Sequence, residues 1–163
     1  MLRGKVVMIT GASRGLGRAL ALTFAREGAN LVINSRSEDS LEPVAGEAEG
    51  AGAEVLAIPA DVSVGADVER LVGESVRRFG RVDVLINNAG LLGPRVPIVE
   101  YPEDEWRRVL DANLTAPFLL SKAVIPRMPE GGSIVNVTSG VSVEGRAEWG
   151  AYSVSKFGVE GLT

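Results

Sequence analysis

The sequence ends in "AYSVSKFGVEGLT", which sets Tyr152 and Lys156 four residues apart. On a helix, side chains at that spacing share one face. A free tyrosine, with a pKa near ~10, holds its proton too tightly to act as a base around neutral pH. An ammonium about 4 Å away, at an effective dielectric near 20, favours the phenolate by roughly 4 kcal/mol at most. Desolvation opposes part of that gain. Such a pair can move a proton onto or off an oxygen. The same spacing also suits a surface tyrosine beside a snorkelling lysine. The chain contains no cysteine and no histidine. Disulfides, thiolate nucleophiles, imidazole triads and zinc sites of the usual kind are thereby excluded. Acid–base chemistry falls to Tyr, Lys, Asp and Glu.

A second stretch suited to chemistry is "TGASRGLG", in which Gly11, Gly15 and Gly17 alternate with Ser13, Arg14 and Leu16. Glycines let backbone approach a pyrophosphate closely, and the helix that follows offers free N–H groups and positive dipole. A tight turn without a ligand is the alternative. An acidic residue about 20 positions further on would accept from the ribose 2′-hydroxyl of NAD, whereas arginine there pairs with the 2′-phosphate of NADP. The corresponding place reads "INSRS", giving Ser35 and Arg36, and Arg14 could add a second charge. NADP(H) is therefore expected in preference to NAD(H), unless both arginines merely solvate loops.

Elements must position these residues. Five short apolar runs, "KVVMIT", "NLVINS", "EVLAIPA", "VDVLINN" and "GSIVNVTS", read as buried strands. Helical spacing falls on Gly15–Gly28, on Val64–Phe79 and on Leu114–Met128, the last with Pro117 in its first turn and Pro126 to end or bend it. The alternation predicts an α/β fold, a doubly wound parallel sheet in one domain over residues 1–163. A loop over Leu91–Pro102 follows the fourth strand, at the sheet end where ligands bind. The net charge is −4 and no basic run occurs, which argues against nucleic acid. The apolar run at the start is too short for a membrane span, so no membrane partner and a cytoplasmic location are expected.

Gly11, Gly15 and Gly17, Asp61 after the third strand, "NNAG" at Asn87–Gly90, Asn113, Ser139 and "YSVSK" together resemble the short-chain dehydrogenase/reductase family. Through "GASRGLGRA" and "NNAG" the chain is similar to 3-oxoacyl carrier-protein reductases, and also to sugar, steroid and small-ketone reductases. The resemblance implies a Rossmann fold with strand order 3-2-1-4-5. It implies hydride transfer between nicotinamide and a carbonyl or secondary alcohol. Tyr152 would be proton donor or acceptor, and Lys156 would depress its pKa and hold the nicotinamide ribose. Ser139 would hydrogen-bond the substrate oxygen, and Asn113 would anchor a relay water. Asp61 and Val62 would contact adenine, with Asn88, Ala89 and Gly90 against the adenosine ribose. Taken singly, Ser139 and Asn113 would read as a strand-end turn or a helix cap. Trp149 would line the substrate side or simply pack. Arg107 and Arg108 read as a solvated helix face.

Members of the family normally continue to two more strands and a substrate-covering segment. This chain is expected to lack them, as a truncated form whose fifth strand becomes an edge that invites pairing. A homo-oligomer is expected. The competing function is a dinucleotide-binding module without turnover, or an inactive fragment of a longer dehydrogenase.

Overall fold

A computed structural model describes residues 2–163. Five parallel strands, β1 (Val6–Thr10), β2 (Asn30–Ser35), β3 (Val55–Pro59), β4 (Val84–Asn87) and β5 (Ser133–Asn136), form one sheet in the order β3-β2-β1-β4-β5. The expected α/β doubly wound fold and strand order are both present. The register sets Val7 beside Leu31 on one side and Val84 on the other.

Alternation along β1 divides the core between the two faces of the sheet. Val7 and Ile9 meet Leu31 and Ile33 of β2 under α1 (Gly15–Arg26) and α2 (Glu42–Gly50), whose Ala21, Ala25, Val44 and Ala48 are buried. Val6 and Met8 face the other way, onto Val68, Leu71 and Val72 of α3 (Gly65–Phe79). The sequence pattern did not reveal α2. Its segment "EPVAGEAEG" carries two glycines and only a weak apolar stripe, and packing against the sheet supplies what propensity does not.

The helix expected from Leu114 begins earlier. α4 (Glu103–Leu110) runs through one wide π turn, Asp111–Thr115, into α5 (Ala116–Val124) without leaving the helical path. Pro117 follows directly on the wide turn. It has no N–H for the Asn113 carbonyl four residues back, and within the turn the Ala116 N–H donates to the Asp111 carbonyl, five residues back. Pro126 lies in the 3₁₀ turn Ile125–Arg127 that ends α5, and α6 (Gly150–Leu162) completes the described elements. Among the described residues β5 pairs only with β4, and Val135 on it is exposed. Among the described residues, no helix is long and apolar enough to cross a membrane.

Asp83, just before β4, ties the central strands together. Its carboxylate accepts from the Val6 N–H at 2.9 Å, from Lys5 Nζ at 3.0 Å and from Arg81 Nε at 2.9 Å. Burial pushes its pKa up, but these three donors outweigh burial and hold it below the usual carboxylate value. A carboxyl with a lowered folded-state pKa contributes stability above its unfolded value, near ~3.9, and loses it as the pH falls through the folded value. Asp83→Asn is expected to cost about 1–3 kcal/mol at pH 7. In urea melts the deficit should shrink steadily below about pH 4.

Candidate functional site

The first crossover leaves β1 toward β2, and the chain later returns to β4 on the opposite side. This reversal opens a crevice at the carboxyl ends of β1 and β4. A cleft of about 650 Å³ lies there. Its floor and one wall are the turn after β1, with Gly11, Ser13, Arg14, Gly15 and Leu16. Arg36 comes from the end of β2, and Asp61 and Val62 from the segment after β3. Asn88, Ala89 and Gly90 come from the segment after β4. Gly17 does not line the cleft. It is buried beneath, where a Cβ would collide with the Gly11 carbonyl oxygen and the Asn88 amide nitrogen. Only a residue without a side chain lets α1 start this close to the turn.

The bonds that shape the turn involve a residue the sequence reading passed over. Thr10 Oγ1 accepts the N–H groups of Asn88 and Ala89, each at 3.1 Å. Asn88 Nδ2 donates to the carbonyls of Thr10 at 2.9 Å and Gly11 at 3.1 Å. The Asn88 amide nitrogen is thus committed to holding β4 against the glycine turn. Thr10 carried only a weak signal, a hydroxyl at the end of an otherwise apolar strand.

Arg14 and Arg36 are exposed at the cleft, and neither takes part in an ion pair among the described residues. Ser13, Ser35, Ser37 and Ser40 add hydroxyls to the same wall. Two free guanidinium groups, hydroxyls and a turn of backbone N–H groups suit a phosphorylated ligand. Arg108, read from sequence as part of a solvated face, lines the opposite wall and pairs with Glu105 Oε1 at 2.6 Å. Arg107 does face solvent, paired with Glu103. The Asp61 carboxylate accepts from the Ser63 hydroxyl at 2.6 Å and the Ser63 N–H at 3.0 Å.

Beyond the cleft, α6 carries Tyr152 and Lys156. Tyr152 is half-buried, and its ring meets that of Trp149 edge-on at 5.8 Å. Lys156 is only 5% exposed. Its Nζ lies 5.7 Å from the centroid of the Tyr152 ring and donates to the Val137 carbonyl at 2.6 Å. Burial pushes the Lys156 pKa below its ordinary value. Ser139 lies three residues past β5, in extended backbone at the head of the 3₁₀ turn Gly140–Ser142. That turn packs on α6, and the Ser142 N–H donates to the Ser139 carbonyl at 2.8 Å.

Asn113 sits in the π turn and is 1% exposed. Its Oδ1 accepts the Leu91 N–H at 2.7 Å, and its Nδ2 donates to the Leu91 carbonyl at 2.8 Å and to Ser155 Oγ at 3.0 Å. Ser155 Oγ in turn donates to the Tyr152 carbonyl at 2.7 Å. One amide therefore connects the cleft segment after β4 to the tyrosine-bearing helix. Tyr101, which does not line the cleft, packs between the segment after β4 and the start of α6, a contact that the sequence did not suggest. Its phenol presses on Gly93 and Gly150, at positions where a Cβ would clash, and burial followed by Glu105 raises its pKa.

Residues 5–163 match the family model described as short chain dehydrogenase. The chain belongs to the short-chain dehydrogenase family. It is 41% identical over 162 residues to the 3-oxoacyl-(acyl-carrier-protein) reductase FabG of Staphylococcus epidermidis, covering 98% of this chain and 66% of that protein. It is 38% identical over 160 residues to a 3beta-hydroxysteroid dehydrogenase of Mediterraneibacter gnavus, covering 98% and 58%. Among solved structures, a NAD+-bound xylitol dehydrogenase superposes with a TM-score of 0.96 at 36% identity, covering 99% of this chain and 63% of that one. A levodione reductase does so with a TM-score of 0.96 at 38% identity, covering 100% and 65%. The chain thus spans slightly less than two thirds of the relatives' length.

Two substitutions check this geometry. Asn113→Ala should cost about 2–4 kcal/mol in denaturant melts, because it leaves both main-chain groups of Leu91 without their partner. Lys156 bears on pH. A buried lysine with a lowered pKa gives up its proton in the folded chain before the unfolded chain does, so the folded state gains as the pH rises toward the ordinary lysine value near ~10.4. The melting temperature of the unmodified chain should therefore rise relative to Lys156→Met between pH 7 and pH 10. A constant difference would show that the ammonium is not desolvated.

Proposed function

We propose that this dehydrogenase-family chain binds NADP(H) and transfers a hydride between nicotinamide and a carbonyl or secondary alcohol. The observation that carries the reading is the cleft at the β1/β4 reversal, where the glycine turn faces Arg36 and the Asn88–Gly90 segment. Glycine-turn N–H groups and the α1 N-terminus would take the pyrophosphate. Arg14 and Arg36 would take a 2′-phosphate. The NAD+ in the xylitol dehydrogenase structure supports a nicotinamide dinucleotide in general. The preference for NADP(H) rests on the two arginines.

When bound, the nicotinamide supplies or accepts the hydride. Every other role would fall to the chain's own residues. Ser139 would donate a hydrogen bond to the carbonyl oxygen, and Tyr152 would give that oxygen its proton as the carbon is reduced. In the reverse direction Tyr152 would take the proton from the alcohol. The Lys156 ammonium, held by the Val137 carbonyl on the side of the ring, would favour the phenolate. Asn113 would contribute through its main-chain carbonyl, because its amide is already bonded to Leu91 and Ser155 and Pro117 has no N–H to offer that carbonyl. The cleft would serve equally well in a binding module without turnover, which is the second reading.

Calorimetric titration with NADPH and NADH tests the first half of the proposal, and Arg36→Asp should weaken NADPH by about tenfold or more while sparing NADH. A ketone screen followed at the NADPH absorbance tests the second half. Tyr152→Phe should abolish any turnover found, and retained turnover would remove Tyr152 from the mechanism. Cofactor binding with no turnover on any ketone would favour the binding module.

A further inference from the structure

The indole of Trp149 gathers positive charge from two loops. Arg95, in the segment after β4, places its guanidinium carbon 5.8 Å from the ring centroid, and Arg146, in the segment before α6, places its own at 5.7 Å. Arginine over an indole is an attractive contact, but two like charges brought to one ring repel each other. Both arginines are exposed, and neither forms a hydrogen bond or ion pair with another side chain among the described residues. Glu144 and Glu148 flank Arg146 in sequence, yet neither is ion-paired with either arginine. The same indole meets the Tyr152 ring edge-on at 5.8 Å. Trp149 is presented by an uncommon backbone, since Glu148 before it has a φ of 66°, in the left-handed region that non-glycine residues seldom occupy. Strain of that kind persists where surrounding structure holds it, and it concentrates beside functional groups.

We infer that Arg95 and Arg146, carried on Trp149, form a receptor for an anionic group on the substrate, so that the carbonyl compound presented to Tyr152 bears a carboxylate or a phosphate. The inference rests on the oxidoreductase reading for the word substrate, while the anion site itself does not require turnover. Guanidinium groups bind both anions through paired N–H donors. One ring separates these cations from the phenol, the reach of a short carbon chain. A neutral ketone would forgo their contribution.

The test uses the whole chain in a Trp106→Phe background, which leaves Trp149 as the sole indole. Its fluorescence is titrated with 4-oxopentanoate and its methyl ester, and with dihydroxyacetone phosphate and dihydroxyacetone. NADPH consumption and calorimetric cofactor binding are measured in parallel. The expected result is a saturable response to at least one anion, about tenfold weaker for its neutral counterpart, with the preference lost in Arg95→Gln and in Arg146→Gln. The responding pair identifies carboxylate or phosphate. An anion preference without cofactor binding or turnover would uphold the anion site while overturning the oxidoreductase reading. Equal response to both members of each pair, no response to any, or a preference unchanged in both arginine variants would overturn the inference, whatever the cofactor result.

Discussion

The arrangement depends on one buried amide. Asn113 bonds both main-chain groups of Leu91 and the hydroxyl of Ser155. The first partner belongs to the segment that lines the cleft, and the second belongs to the helix that carries Tyr152 and Lys156. A side chain in a regular helix at this position would face a different direction. The π turn rotates it inward, and the turn exists where Pro117 denies the regular ladder a donor. A backbone irregularity thus aligns two halves of the site that no strand pairing connects.

The glycine turn, the five strands and their parallel doubly wound arrangement were legible because each depends on local patterns or on handedness rules that few topologies satisfy, while the strand order came with the family resemblance. Tyr152 was legible as a candidate for the same reason, through its spacing to Lys156, and Asn113 only through the family resemblance. Their connection was not. The partners of Asn113 lie 22 and 42 residues away, and no periodicity records such a distance. Thr10 was missed because a threonine ending a strand looks like a β-former, and its two accepted bonds come from residues 78 and 79 positions later. The helix start at Leu114 was misplaced for a different reason. A proline one turn inside an apolar run has the signature of a helix beginning, and a π turn of five residues has too short a pattern to contradict it.

The two ends of the site differ electrostatically. At the cleft, two arginines without an ion pair among the described residues and several serine hydroxyls line one wall of open space. At the tyrosine end, the ammonium of Lys156 lies beside the ring, buried and fixed on a carbonyl. The exposed arginines can be recruited by a ligand at small desolvation cost, whereas the lysine has met that cost in folding. Affinity and proton chemistry are thereby assigned to different residues, and either can change without dismantling the other.

The pairing of β1 with β4 has a kinetic consequence. Val7 lies beside Val84, and the chain between them must be gathered before this pair can close. Contacts so distant in sequence form slowly, after the local β1–α1–β2 unit. The cleft sits at that seam, so the ligand pocket comes into existence only with the most non-local contact of the central sheet. A nascent chain can possess the whole glycine motif, already turned and already followed by its helix, and still have nowhere to put a nucleotide.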